Sequence, residues 1–178
     1  MPLSALIHRL LPAALLLVPL CAGAQEDTRI TEDQQIGDWL LRCIRNGEGA
    51  ATRSCFMGTN AVHALEQREL AIFSVGLVAP EDKQGAEEFA GQVTSPTFIN
   101  VRAGIDLQVD QQLIANIAYE ICTANNCISS FALLPAMVEA LSQGFAAALI
   151  FTDAEGVRVS APFSLNGFAR GLAALEAP

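Results

Sequence analysis

The chain is poor in the residues on which most enzyme reactions depend. Its 178 residues include 2 His, 1 Trp and 1 Tyr, and His8 falls in the apolar N-terminal segment, which leaves His63 alone in the remainder. A Ser-His-Asp triad would have to use His63, in "NAVHALEQ", and no G-x-S-x-G elbow is present to offer a nucleophile. Gly-rich phosphate loops, C-x-x-C pairs and haem-type cysteines are also absent, so no catalytic residue and no cofactor is predicted. Basic residues are few, 10 Lys+Arg against 19 Asp+Glu, giving a net charge of −9. Nucleic acids and anionic lipid surfaces are held by clustered Lys and Arg, so neither is an expected partner. Downstream of the N-terminal segment no run is apolar enough to span a bilayer, and no internal repeat or low-complexity tract occurs.

What is present begins with a targeting pattern. "MPLSALIHRLLPAALLLVPLCAGAQ" places Arg9 ahead of an apolar run from Leu10 to Leu20 and ends in Ala22-Gly23-Ala24. This reads as a secretory signal peptide over residues 1–24, cleaved near Ala24. The run is short for a membrane anchor and is broken by Pro12 and Pro19. Lipid anchoring at Cys21 is the less favoured reading, because Leu20 stands where a lipoprotein signal wants a small residue. The remaining chain is the length of one ordinary domain. Residues 25–35, "QEDTRITEDQQ", read as a polar N-terminal arm, and residues 36–178 as a single domain.

Export gives the cysteines a meaning. Cys43, Cys55, Cys122 and Cys127 make an even set, and oxidising compartments favour disulfides. Of the three connectivities, the two sequence-local pairs are predicted. Cys43 joins Cys55 across the Gly-containing "IRNGEGAATRS", and Cys122 joins Cys127 across "TANN", whose Asn residues tolerate tight turns. Zinc is disfavoured, because the spacing of Cys122 and Cys127 is not C-x2-C and His63 is the sole accompanying imidazole. A redox dithiol would want C-x-x-C at a helix N-terminus, whereas the flanks "ANIAYEI" and "ISSFAL" read as strands.

The coarse pattern is that of many short strands. "IGDWLLRC" (36–43) alternates so that Trp39, Leu41 and Cys43 share a face, with Trp39 expected beside the Cys43 disulfide. "CFMGTNAV" and "ELAIFSVGLV" (69–78) follow as strands, then an acidic loop, "PEDKQGAEE". Further strands are predicted at 97–102, 105–110, 116–122 and 127–133, and "FAAALIFT" and "VRVSAPF" form a hairpin about "DAEG". Two helices complete the set. "PAMVEALSQG" has Val138 and Leu141 on one side and Gly144 as its stop. "SLNGFARGLAAL" has Ser164 as N-cap and an apolar face of Leu165, Phe168, Leu172 and Leu175. The fold class is all-β, a β-sandwich with two short helices, one of them C-terminal.

Two acidic features are candidate sites. Asp106 and Asp110 in "IDLQVD" fall on one strand face by the two-residue period, although two solvated carboxylates with Leu107 and Val109 on the buried side is the plainer reading. Glu81, Asp82, Glu87 and Glu88 in the acidic loop suit a cationic partner, or simply a soluble loop.

Taken in order, "GDWLLRC", Cys55, "GIDLQVD", "CTANNC" and "SLNGF" followed by a small helix resemble the invasion-associated locus B family of exported bacterial proteins, over nearly the whole chain after the signal. The resemblance implies an immunoglobulin-like sandwich with two local disulfides, exported to the periplasm or cell envelope, in a family associated with host-cell invasion and without an established reaction. The chain departs from the family in lacking a Leu-Pro-Leu-Gly type stretch before Gly104. Two function classes are carried forward. The first is a non-catalytic envelope protein that binds a protein or envelope component. The alternative is a periplasmic thiol-redox accessory or enzyme acting through Cys122 and Cys127.

Overall fold

The computed structural model describes residues 29–46, 53–79 and 86–177. The signal segment with Cys21, residues 25–28, and Glu81 and Asp82 of the acidic loop lie outside the described residues. The chain folds as two antiparallel sheets. The larger is a seven-stranded meander closed by a crossover: β1 (Arg29–Ile36), β2 (Trp39–Asn46), β3 (Arg53–Val62), β4 (Glu69–Val78) and β5 (Glu88–Ser95), then β9 (Cys127–Ala132) and β8 (Ile121–Cys122). The smaller has the order β11 (Arg158–Ser164), β10 (Ala146–Thr152), β6 (Ile105–Val109), β7 (Gln112–Ile117). Helix α1 (Pro135–Gln143) connects β9 to β10, and α2 (Phe168–Glu176) closes the chain.

One apolar cluster joins both sheets and both helices, which makes the architecture a sandwich. Its centre is aromatic. The Trp39 ring meets Phe168, Phe73 and Phe163 edge-on at centroid distances of 5.1, 5.9 and 6.3 Å. Such T-shaped contacts set the electron-poor ring edge against an electron-rich face. Trp39, Leu41 and Cys43 all point inward, as the two-residue period requires. Leu165, Phe168, Leu172 and Leu175 are buried together, and α2 packs so closely on β3 that Met57 Sδ fills the space a side chain at Gly171 would need. The seven-strand meander is wider than either sheet of an immunoglobulin domain.

Several expected boundaries are corrected. The stretch 36–43 is not one strand, because Gly37 (φ 64°) turns the chain between β1 and β2. Residues 29–35, read as part of a polar arm, are paired along their length with β2. They carry no apolar alternation, so the strand arises from backbone pairing and from ion pairs such as Arg42 with Asp33 at 2.7 Å. The strand expected at 97–102 is absent except for a single bridge from Ile99 to Asp153. The strand that sequence reading overlooked is β5, between β4 and β9, whose Gly91 and Ser95 on the inner face hid its alternation. The strand expected at 116–122 divides into the end of β7 and the two-residue β8, and β7 already begins at Gln112, because Asp110 and Gln111 form a hairpin turn with φ 48° and 68° that ends β6 at Val109. Positive φ at both central residues gives the turn the twist that hairpins need. Ser164 does not cap α2: it ends β11, and Gly167 (φ 100°) occupies the N-cap. In α1 the buried residues are Met137 and Leu141, with Val138 only partly buried.

Candidate functional site

The sequence elements that carry the family resemblance prove to be joints of the scaffold. "GDW" and "SLNG", more than 120 residues apart, interlock at one end of the sandwich. Trp39 Nε1 donates to the Ser164 carbonyl (3.0 Å), the Asp38 backbone N–H donates to the Asn166 carbonyl (2.9 Å), and Ser164 Oγ donates to Asp38 Oδ2 (2.6 Å). Gly37 and Gly167 are required here for two reasons. Both have positive φ, and a Cβ on Gly167 would fall within 2 Å of the Ile36 carbonyl oxygen, while one on Gly37 would collide with the Asn166 carbonyl.

The candidate acidic pair is likewise divided between structural tasks. Asp106 accepts from Asn116 Nδ2 (2.7 Å) and pairs with Arg158 (2.7 Å), and these partners hold its carboxyl below the usual range. Asp110 instead sits in the β6–β7 turn and accepts from the backbone N–H groups of Phe145 (3.1 Å) and Ala146 (3.0 Å). The two carboxylates therefore do not converge. His63 Nδ1 accepts the backbone N–H of Glu66 (3.0 Å) in the β3–β4 connection. It borders a depression of about 330 Å³ with Arg68, Phe98 and Asp153, but Arg68 pairs with Glu66 and Asp153 accepts the N–H groups of Glu155 and Val157 within its own turn. Among the described residues no three His, Cys, Asp or Glu side chains are grouped to hold a metal, and no helix is long and apolar enough to cross a membrane. Glu87 and Glu88 are exposed.

The cysteines lie opposite one another across two antiparallel pairs. Cys43 of β2 is bonded to Cys55 of β3 with Cα atoms 4.1 Å apart, and Cys122 of β8 to Cys127 of β9 at 4.0 Å. Their surroundings differ. Cys43 belongs to the apolar core and Cys55 packs against it, whereas Cys122 is exposed at the sheet edge.

The feature that folding leaves without a structural task is the outer face of the large sheet. Leu40, Phe56 and Ile72 are each between 37% and 39% exposed there, although their strands already supply inner-face residues to the core. In register, Leu40 stands opposite Gly58, Gly58 opposite Ser74, and Phe56 opposite Gly76. Small residues between large ones leave a floor of nearly bare backbone. Two shallow depressions of about 440 and 330 Å³ result, and Phe56 and Ser74 line both. Asp38 and Arg42 border the first, and Gln92 and Ser130 the second. Sequence reading missed these residues. The available signal was an apolar residue at the out-of-phase position of an alternating strand, as at Leu40 in "WLLRC" and Ile72 in "LAIFS".

Comparisons place the fold among known proteins. None of the curated proteins compared with the chain matches it. Among solved structures, the crystal structure of invasion associated protein B from Bartonella henselae superposes with a TM-score of 0.63 at 25% identity, over 81% of this chain and 94% of that one. The family model described as "Invasion associated locus B (IalB) protein" matches residues 39–176, a span that runs from the Trp39 joint through both disulfides to the last residue of α2. The chain therefore belongs to the invasion-associated locus B family.

Proposed function

We propose that the protein is a non-catalytic, exported binding protein of the bacterial cell envelope, and that a protein partner docks on the outer face of the large sheet. The observation that carries this reading is the trough around Phe56, where apolar side chains flank a glycine and serine floor on a face that contributes nothing to the core. Partly desolvated aromatic and aliphatic groups around a pocket, with polar groups at the rim, are the anatomy of a protein-binding patch. Family membership supports an envelope or host-association role, and the two disulfides fit an oxidising compartment. On this reading residues 1–24 direct export, cleavage near Ala24 releases the mature chain to the periplasm or beyond, and the chain from strand β1 to helix α2 acts as one domain.

A photo-crosslinking residue at Ser74, in cells, tests the proposal against the same residue at Gln108 of the smaller sheet. One dominant protein captured from Ser74, and lost when Phe56→Ser and Ile72→Ser are combined, is the expected result. Equal background capture from both positions would remove the sheet face as the binding surface.

A further inference from the structure

The two disulfides differ in what surrounds the sulfur that would leave if the bond were opened. Cys43 is 1% exposed and lies within the apolar cluster, so a thiolate there would be desolvated without compensation. Cys127 is equally buried yet stands outside that cluster. Its cross-strand partner on β5 is Ser95 and its same-face neighbour two residues on is Ser129, both buried. Ser129 Oγ is fully buried and has no hydrogen-bond partner among the described residues. Ser95 differs from Ser129 in that its Oγ donates to the Pro96 carbonyl (3.5 Å) and lies beside the Tyr119 hydroxyl. Unmet hydroxyl donors in a core are costly unless they serve some acceptor. The other sulfur of the pair, Cys122, is exposed at the sheet edge.

We infer that the Cys122–Cys127 bond is a thiol-exchange site, with Cys122 as the sulfur attacked and the unpartnered Ser129 hydroxyl receiving the Cys127 thiolate. The ligand class is a thiol on another molecule. Its thiolate attacks Cys122 Sγ along the exposed side, a new sulfur–sulfur bond forms to Cys122, and the bond to Cys127 breaks with its electron pair leaving on Cys127 Sγ. A second external thiolate attacks the external sulfur of this mixed disulfide. The external disulfide departs, Cys122 is left as a thiolate, and two electrons have passed from the two external thiols to the protein. Exchange is faster at an accessible sulfur and with a better-stabilised leaving thiolate, and the structure supplies both at this bond alone. Turn hydrogen bonds hold β8 in place when the bond is open: Thr123 N–H donates to the Asn126 carbonyl (2.8 Å) and Glu120 N–H to the Ile128 carbonyl (3.0 Å). The site thus cycles without unfolding, and it is separate from the trough proposed for partner binding.

Reduced glutathione is the probe. The native, full mature protein is incubated with it, quenched with acid, alkylated and mapped by peptide mass. Cys122 is expected to carry glutathione first and the Cys122/Cys127 dithiol to follow, at least about 100-fold faster than any opening of Cys43–Cys55. Ser129→Ala is expected to slow the opening by about tenfold through loss of a donor to the leaving thiolate. Ser95→Ala removes a hydroxyl already committed to the Pro96 carbonyl and is the control, expected to leave the rate unchanged, and circular dichroism of each variant separates a slowed exchange from an altered core. Opening of both disulfides at one rate, addition of glutathione to Cys127 in place of Cys122, or reaction only in denaturant would each overturn the assignment.

Discussion

The two faces of the large sheet are built from the same strands and carry different burdens. On the inner face Trp39, Phe73, Val75 and Met57 are each at or below 1% exposure, and they meet residues from the other sheet and from α2. On the outer face the same strands offer Leu40, Phe56 and Ile72 to solvent around a backbone floor. Burial on one side supplies most of the free energy of folding, because removed apolar area is worth about 25 cal/mol per Å². Exposure on the other contributes little to folding and leaves a surface that gains by being covered. Stability and recognition are thereby separated by one residue of register, and this predicts that they can be broken independently.

The largest effect should come from the aromatic centre. Trp39→Ala removes three ring contacts and the hydrogen bond to Ser164, and is expected to cost about 3 to 5 kcal/mol in urea denaturation. Gly167→Ala attacks the same joint through the backbone. A Cβ would lie 1.9 Å from the Ile36 carbonyl oxygen at φ 100°, so a loss near 3 kcal/mol is expected, measured in the same way. Replacing Cys43 and Cys55 together by Ser should cost about 2 to 3 kcal/mol, since the bond closes only a short loop, and would show as a lowered denaturation midpoint.

A spectroscopic measurement sharpens the comparison from the inner side. Burial pushes the Tyr119 phenol up to about 12, with Ser95 acting in the opposite direction. The folded state therefore holds this proton more tightly than the unfolded state, whose tyrosine titrates near 10. The stabilisation is complete below the unfolded value and is lost as pH rises through the folded one. Because the chain has 1 Tyr, its ultraviolet phenolate band reports this group alone, and the midpoint should fall toward 10 on unfolding. The smallest change in stability belongs to the outer face. Phe56→Ser and Ile72→Ser are each expected to shift stability by less than about 1 kcal/mol, and combined to abolish partner capture from Ser74. A large stability loss from either would show that the outer face belongs to the core after all.

Legibility followed the strength of the local period. β4 emerged with the bounds Glu69–Val78 because its alternation is long and uninterrupted, and the apolar face of α2 followed from 3.6-residue spacing. Where inner positions are small or polar, as at Gly91 and Ser95 of β5, no alternation was visible, and the β-rich "TFINV" was read as a strand in its stead. β1 was hidden for the opposite reason: its charged residues pair with Arg side chains of β2 and β3 at a sheet edge, so hydrophobicity never marked it. The same limit applied to function. Asp106 and Asp110 looked like a pair on one strand face, but a turn at Asp110 sends its carboxylate to the start of β10.

By itself the sequence determined the fold class, the inward positions of Trp39, Leu41 and Cys43, and the family to which the ordered motifs belong, because each depends on residues close together or on their order along the chain. Only the tertiary structure decided that "GDW" and "SLNG" form one joint, that Cys127 faces hydroxyls while Cys43 faces the core, and that Phe56 and Ile72 stay uncovered. Those outcomes depend on what packs against each face, and contact between distant segments leaves no period in the sequence to be read.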